Sequence, residues 1–332
     1  MPGGKHALSL FPLRSFPRLG PVPAGLPSML WCALYLPDLA LQVFTRGRSD
    51  SAPLAVLGPR PRQRVVGACP AAVACGVEPG LGRAGALALA PGLLLVDRDL
   101  RLEHTALVEI ASWAARFTPS ISLDTSAVLL EVEASLRLFG GLPPLCDAIL
   151  GGLGELGFDG RLAVAPNPLA ARWLARFAPG SLICEGSALE VAIDALPLAA
   201  LADGGGLDGT TLELLSGVGA GSLGDVRRLP RSGLARRQAR QVLAQLDRAL
   251  GLVPDPRPWF APPERYTGRL PLPAPTDQVE SLLFGLRRLL GGLSGWLEAR
   301  HGGLEAFTLV LEHERNNFGG IWHSDTTYLP VP

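Results

Sequence analysis

The chain has 332 residues, 48% hydrophobic and only 18% charged, which supplies a large buried core and excludes disorder as a whole-chain class. Thirty Lys and Arg balance thirty Asp and Glu, so bulk positive charge gives no argument for nucleic-acid binding; any basic surface is local and, with Lys5 the only lysine, built from arginine. Forty glycines and 31 prolines occur without a fixed period, which excludes collagen and predicts many turns between short elements.

Residues 1–28 carry six prolines and one interrupted apolar stretch, and are expected to be a disordered N-terminal extension. The pattern changes at Met29: 29–36 reads as a strand buried on both faces and as the natural start of the folded unit. A second apolar strand is expected at 53–57 and a short helix at 70–76, stopped by Gly76. The apolar run 84–96, broken by Gly85, Pro91 and Gly92, reads as a buried strand with a turn; it is too short to span a bilayer, so no membrane anchor is expected. Leu107, Ile110, Ala111 and Ala114 predict a helix with one buried face over 103–117. A strand at 128–132, a helix at 145–156, a strand at 162–165 and a helix at 169–177 follow, an alternation that predicts a multidomain α+β chain with a partly antiparallel sheet. Helices and loops then extend to Leu252, where Pro254, Pro256, Pro258, Pro262 and Pro263 predict a stiff linker. After it come an expected short strand at 268–272 and a long amphipathic helix at 277–300, whose Leu282, Leu286, Leu289 and Leu293 should face a sheet. An alternating strand at 307–314 is next, and 315–332 loses periodicity and is expected to be aberrant or disordered.

Cys32, Cys69, Cys75, Cys146 and Cys184 form no CxxC pair, so neither a zinc site nor a disulfide framework is expected, and a reducing cytoplasm fits. The five histidines show no ligand spacing. Acids outnumber bases between 97 and 135, yet Glu131 and Glu133 share one strand face and read as a solvated edge rather than as metal ligands. No Gly-x-Ser-x-Gly elbow or Walker-type loop is present. The strongest local signal is 215–225, a glycine-rich turn between helices. It has the form of a helix-hairpin-helix, in which backbone N–H groups around Gly217, Val218 and Gly219 approach a phosphate. Arg227, Arg228, Arg231, Arg236, Arg237, Arg240 and Arg248 follow against the single acid Asp247, a pattern for sequence-independent, salt-sensitive phosphate contacts. A glycine helix cap followed by a solvated arginine face has the same spacing, and both stay open at this point.

The order of these pieces carries a resemblance. Cys75-Gly76-Val77-Glu78-Pro79-Gly80, Phe117-Thr118-Pro119, Leu130-Glu131-Val132, Phe139-Gly140-Gly141 and Ala163-Val164-Ala165-Pro166-Asn167, ahead of the hairpin and the proline linker, resemble the Y-family translesion DNA polymerases from 29 to 314. Within that family the chain is similar to the polymerase-like branch of bacterial mutagenesis cassettes. The resemblance implies a right-hand architecture: palm from 29–50 and 92–185, small fingers from 51–91, a thumb with the helix-hairpin-helix from 186–253, the linker 254–265, and a truncated little finger from 266–314. Active members hold two Mg²⁺ ions with an Asp from the first strand and an Asp-Glu pair from a palm hairpin. Alignment on Ala40-Leu41-Gln42 puts Tyr35 at the first Asp. The pair falls on Ser126 and Ala127 when anchored on Leu130-Glu131-Val132, or on Asp124 and Thr125 when anchored on Ser122-Leu123-Asp124. At least two of three carboxylates are missing in either register, and Asp38 lies on the opposite strand face. The family's triphosphate contacts fall on Pro70, Val73 and Pro168.

What the resemblance implies is a non-catalytic, cytoplasmic DNA-binding adaptor in SOS-induced translesion synthesis, without a cofactor or metal. It would hold primer-template DNA through Gly217, Val218, Gly219, Arg227, Arg228, Arg236 and Arg237, and would serve ImuA, an error-prone replicative-type polymerase and the β sliding clamp. The alternatives are an active polymerase with substitute ligands and a truncated, non-functional remnant. Residues 278–284 mimic a clamp-binding motif but lie in the amphipathic helix, so the clamp site is expected to be missing from this chain.

Overall fold

The structure is a computed structural model that describes residues 29–203, 207, 209–232, 240–272, 279–312 and 326–331; the expectations for 1–28, Arg236, Arg237 and Gln278 lie outside them. The first half runs β1 (Trp31–Tyr35), α1 (Leu39–Thr45), β2 (Leu54–Leu57), β3 (Val65–Ala68), α2 (Pro70–Ala74), α3 (Arg83–Leu89), β4 (Leu94–Asp97), α4 (Leu100–Ala114), β5 (Ile121–Leu123) and β6 (Ala127–Glu131). There follow α5 (Leu142–Glu155), β7 (Arg161–Ala165), α6 (Pro168–Phe177), α7 (Gly186–Asp194), α8 (Gly209–Gly217), α9 (Leu223–Arg228), α10 (Arg240–Ala249), α11 (Val279–Glu298), β8 (Phe307–Glu312) and β9 (Thr326–Val331).

The principal sheet has the order β5-β6-β1-β7, with every pairing antiparallel. All five residues of β1 are buried because the strand is central and covered on both faces. Side chains alternate across it: Cys32 and Leu34 join a core with α4 and α5, whereas Trp31, Ala33 and Tyr35 join a second core with α6. Ala127, Ala163 and Ala165 line that second face, and their small size lets α6 lie close. Asn167 fixes the start of α6 by accepting from Ala170 N–H at 2.8 Å, with Pro168 supplying the preset φ of a first helical position. Its amide also donates to the Ala249 carbonyl at 2.8 Å, tying α10 to the sheet unit.

A smaller sheet, β3-β2-β4, joins β2 and β4 in parallel and β2 and β3 antiparallel. The run 84–96 is where expectation and structure differ most: 83–89 is helix α3, and only 94–97 is strand. Pro91 and Gly92 stop the helix before the strand, and Ala86 is the only buried residue of α3, so an apolar run does not by itself mean burial. No strand forms at 268–272. Helix α11 packs on α4 rather than on a sheet, and its buried residues are Gly285, Gly292, Leu293 and Gly295, leaving Leu282, Leu286 and Leu289 half-buried. Thr326–Val331, within the stretch expected to be aberrant, pairs antiparallel with β8; its threonines, tyrosine and valine suit a strand. The strands β3 and β5 carry too few residues for a periodic signal and are absent from the sequence-based expectation.

The proline segment after α10 is docked rather than free. Phe260 N–H donates to the Ile121 carbonyl at 2.7 Å, adding a bond at the edge of β5, and the Trp259 ring stacks on Trp31 at 5.6 Å between centroids.

Candidate functional site

Register within the principal sheet sets the geometry of the first site. Tyr35, the last residue of β1, lies directly opposite Ala127, and Leu36 N–H donates to the Ser126 carbonyl at 2.9 Å. Tyr35, Ser126 and Ala127 are therefore brought together. Asp124 and Thr125 occupy the turn between β5 and β6, where Asp124 Oδ1 accepts from Thr125 N–H at 2.7 Å. Its other oxygen accepts from Arg172 and, at 3.1 Å, from Arg257 Nη1. Asp38 is exposed ahead of α1, and its side chain makes no capping hydrogen bond. Arg176 lies over the Tyr35 ring, 5.5 Å from the centroid, and pairs with Asp203. Arg172 Nε is 3.0 Å from the same Asp203 carboxylate.

These residues do not fit a pair of divalent ions. Tyr35 brings a phenol and Ala127 a methyl group, neither an anionic oxygen, and the Arg176 guanidinium covers the phenol. Among the described residues no group of three or more His, Cys, Asp or Glu is placed to hold a metal. The acid excess between 97 and 135 resolves into local duties instead. Asp99 caps α4, Glu103 pairs with Arg98 at 2.6 Å, Glu109 pairs with Arg46 at 2.7 Å, and Glu131 accepts from the Leu30 and Glu133 N–H groups. Arg172, Arg176, Asp203 and Arg257 were not expected to be near this site. The available signal was two arginines four positions apart in α6, an otherwise apolar helix with eight buried residues.

The glycine-rich turn is the second site. Gly217 ends α8, and Gly219 adopts φ +85°, the left-handed conformation that glycine reaches without a Cβ clash. Gly219 N–H donates to Ser216 O at 2.9 Å and Ala220 N–H to Leu215 O at 3.1 Å, the paired bonds of a Schellman cap. Val218 N–H is also taken, by Leu214 O at 3.2 Å. In this conformation the N–H donors of Val218 and Gly219, two of the three residues expected to approach a phosphate, close the helix. At the start of α9, Ser222 and Asp225 form a reciprocal capping box, and Asp225 also accepts from Gly221 N–H at 2.9 Å. That bond, with those from Arg228 and Ser222, holds the Asp225 carboxyl far below the usual carboxylate range.

The arginines around this turn differ in engagement. Arg227 pairs with Glu190 and, at 2.6 Å, with Asp194, and its side chain is 26% exposed. Arg228 pairs with Asp225 at 2.5 Å and Arg231 with Asp247 at 2.6 Å, but their side chains are 74% and 61% exposed. Arg240 and Arg248 are exposed on α10. The described helices include none long and apolar enough to cross a membrane.

Comparison with known proteins places this geometry. Residues 42–176 match the impB/mucB/samB family. Protein ImuB of Caulobacter vibrioides, in two strains, is 30% identical over 236 residues, covering 71% of this chain and 51% of the relative; the chain thus spans about half the length of the curated relatives it matches. Among solved structures, DinB from Sulfolobus solfataricus superposes with a TM-score of 0.54 at 18% identity over 69% of each chain. A post-insertion binary complex of Dbh DNA polymerase gives 0.55 at 17% identity, again over 69% of each chain. At such identity these structures speak for the fold, a mixed α+β arrangement matching Y-family palm and fingers. Residues 42–176 of this chain match the impB/mucB/samB family and form part of a fold shared with the Y-family polymerases.

Proposed function

We propose that the chain is a non-catalytic polymerase homologue that binds primer-template DNA and acts as an adaptor in SOS-induced translesion synthesis. The observation that carries this is the pairing of Tyr35 with Ala127 beside Ser126. Phosphoryl transfer on two divalent ions needs clustered carboxylates at that junction, and the acid nearest to it in sequence, Asp124, is already paired with two arginines. The similarity to ImuB supports a mutagenesis-cassette protein, and the solved relatives described as binary and ternary polymerase complexes support DNA as the ligand.

In this proposal 29–50 with 92–185 serve as palm, 51–91 as fingers, 186–253 as a thumb with a helix-hairpin-helix, 254–265 as linker and 266–314 as a partial little finger. Phosphate contact falls mainly on side chains. Arg228 and Arg231 sit in exposed, solvent-screened ion pairs, which phosphate oxygens can displace. Gly217 and Gly219 have no atom within 4 Å of where a Cβ would stand, so they leave the backbone open to close approach. Arg227 contributes less because two acids hold it, and Arg236 and Arg237 extend the same basic run. ImuA, an error-prone replicative-type polymerase and the β sliding clamp are the partners the resemblance implies.

The test uses the full chain with a fluorescent primer-template over a NaCl series, beside an extension reaction with Mg²⁺ and all four dNTPs. Binding that weakens steeply with salt, without extension, is the expected result. Extension would overturn the non-catalytic assignment. A folded sample that binds nothing at low salt would overturn the DNA-binding one.

A further inference from the structure

We propose that the ground on which active relatives assemble their metal ions is occupied here by an ionic latch that fixes the helical segment after α6 and the proline linker against the palm. This does not depend on whether the chain binds DNA. Six charged side chains from four places in the sequence meet there. Asp124 comes from the β5–β6 turn, Arg172 and Arg176 from α6, Asp203 from the end of the short 3-10 turn Leu198–Ala202, and Asp255 and Arg257 from the linker. Asp124 bridges Arg172 and Arg257. Asp203 bridges Arg172 and Arg176. Arg257 closes the chain of contacts onto Asp255 at 2.9 Å.

Burial makes the cluster a constraint rather than a decoration. The side chains of Arg172 and Asp203 are 5% and 1% exposed, and that of Arg257 is 17% exposed. A buried charge that loses its partner is strongly unfavourable, and Asp124, Arg172, Asp203 and Arg257 each have two partners. Displacing the linker therefore takes Arg257 away from Asp124, and displacing the segment around 203 takes the Asp203 carboxylate from Arg176 and leaves Arg172 with Asp124 alone. Three guanidinium groups against three carboxylates leave the cluster neutral, so neither an anion nor a divalent cation finds uncompensated charge in it. The Trp259–Trp31 stack and the Phe260–Ile121 hydrogen bond add short-range contacts that hold the linker in register with the sheet. Arg176 over Tyr35 places the latch against the β1–β6 junction itself. Where a catalytic relative keeps this ground for ions and a moving substrate, this chain has spent its charges on itself.

Hydrogen-deuterium exchange on the full chain tests the latch, with Arg257→Gln and Arg176→Gln as variants because both residues lie at the rim of the cluster. Arg257→Gln is expected to speed exchange about tenfold in peptides covering 253–262, and Arg176→Gln to do so around 198–203, while β1 and β6 keep wild-type protection. Should either fail to fold, Asp124→Asn combined with Arg257→Gln removes a charge of each sign and is read on the same peptides. Unchanged exchange in those peptides would overturn the proposal. So would acceleration spread equally over β1, β6 and β7, since that reports general destabilisation rather than release of two segments.

Discussion

Arg46 and Glu109 show what a charge must find in order to stay inside this chain. Their side chains are 2% and 1% exposed, joined by two parallel hydrogen bonds of 3.0 and 2.7 Å. Arg46 gives a third bond to the Arg269 carbonyl and lies 4.5 Å from the centroid of the Phe158 ring. Burial, with the Glu109 charge nearby, pushes the Tyr266 phenol well above its usual pKa, which keeps it neutral as it donates to the Leu289 carbonyl at 3.1 Å. Glu109→Ala leaves a buried guanidinium without its anion, and urea denaturation is expected to show a loss of about 3–5 kcal/mol. Asp225 is the opposite case, an exposed carboxylate held ionised by its cap. Its folded pKa lies below the unfolded one, so its contribution is complete above the ordinary carboxylate range and is lost as the pH falls toward the folded value. The stability difference between the wild type and Asp225→Asn is therefore expected to stay constant between about pH 8 and pH 5 and to narrow below about pH 4. Thermal melts across that range check it.

At the level of elements, the contact between α11 and α4 turns on glycine rather than leucine. A Cβ on Gly295 would stand 2.2 Å from Trp113 Cδ1 and 3.2 Å from Trp113 Cα, and Trp113 is itself buried. Gly295→Ala gains about 1 kcal/mol in helix propensity but forces a buried ring and its backbone to shift, at about 1–3 kcal/mol. A lower melting temperature is expected. Gly291→Ala is the control: its nearest neighbour would be Leu156 Cδ2 at 3.5 Å, an ordinary contact, so the propensity gain should remain and the melting temperature hold or rise. The sequence made the helix itself legible but not the face it buries, because periodic leucines signal amphipathicity without naming the partner. Helical spacing revealed α4 and α5, and apolar runs bounded by turn residues revealed β1, β7 and α6. Such patterns misread 84–96, whose alanines, glycines and leucines suit helix and strand alike, and could not reveal β5, three residues long. Tyr35, Ser126 and Ala127 were named from their order along the chain, and the register of β1 with β6 brings them together. The Arg172–Asp203 contact depends on residues far apart in sequence, which no local pattern encodes.

For the molecule as a whole, a net charge of zero makes the distribution of charge decisive. Inside, arginines meet carboxylates in latch and core; around the glycine turn they meet carboxylates too, but in water, where such pairs exchange readily. Affinity for DNA should therefore follow exposure rather than the number of arginines. Each phosphate contact contributes about −0.9 to the slope of log K against log salt for duplex DNA. Arg228→Ala and Arg231→Ala are each expected to make that slope shallower by about 1 and to weaken binding equally across template sequences. Arg227→Ala, removed from a side chain already held by Glu190 and Asp194, should change the slope less than either. Arg257→Gln, whose guanidinium is engaged by Asp124 and Asp255 at the rim of the cluster, should leave the slope at the wild-type value even where it loosens the linker. An Arg227 effect equal to that of Arg228 would show that the acidic partners do not restrain it. A shallower slope for Arg257→Gln would show instead that the latch itself opens onto DNA, giving its arginines a second role that exposure in the closed state conceals.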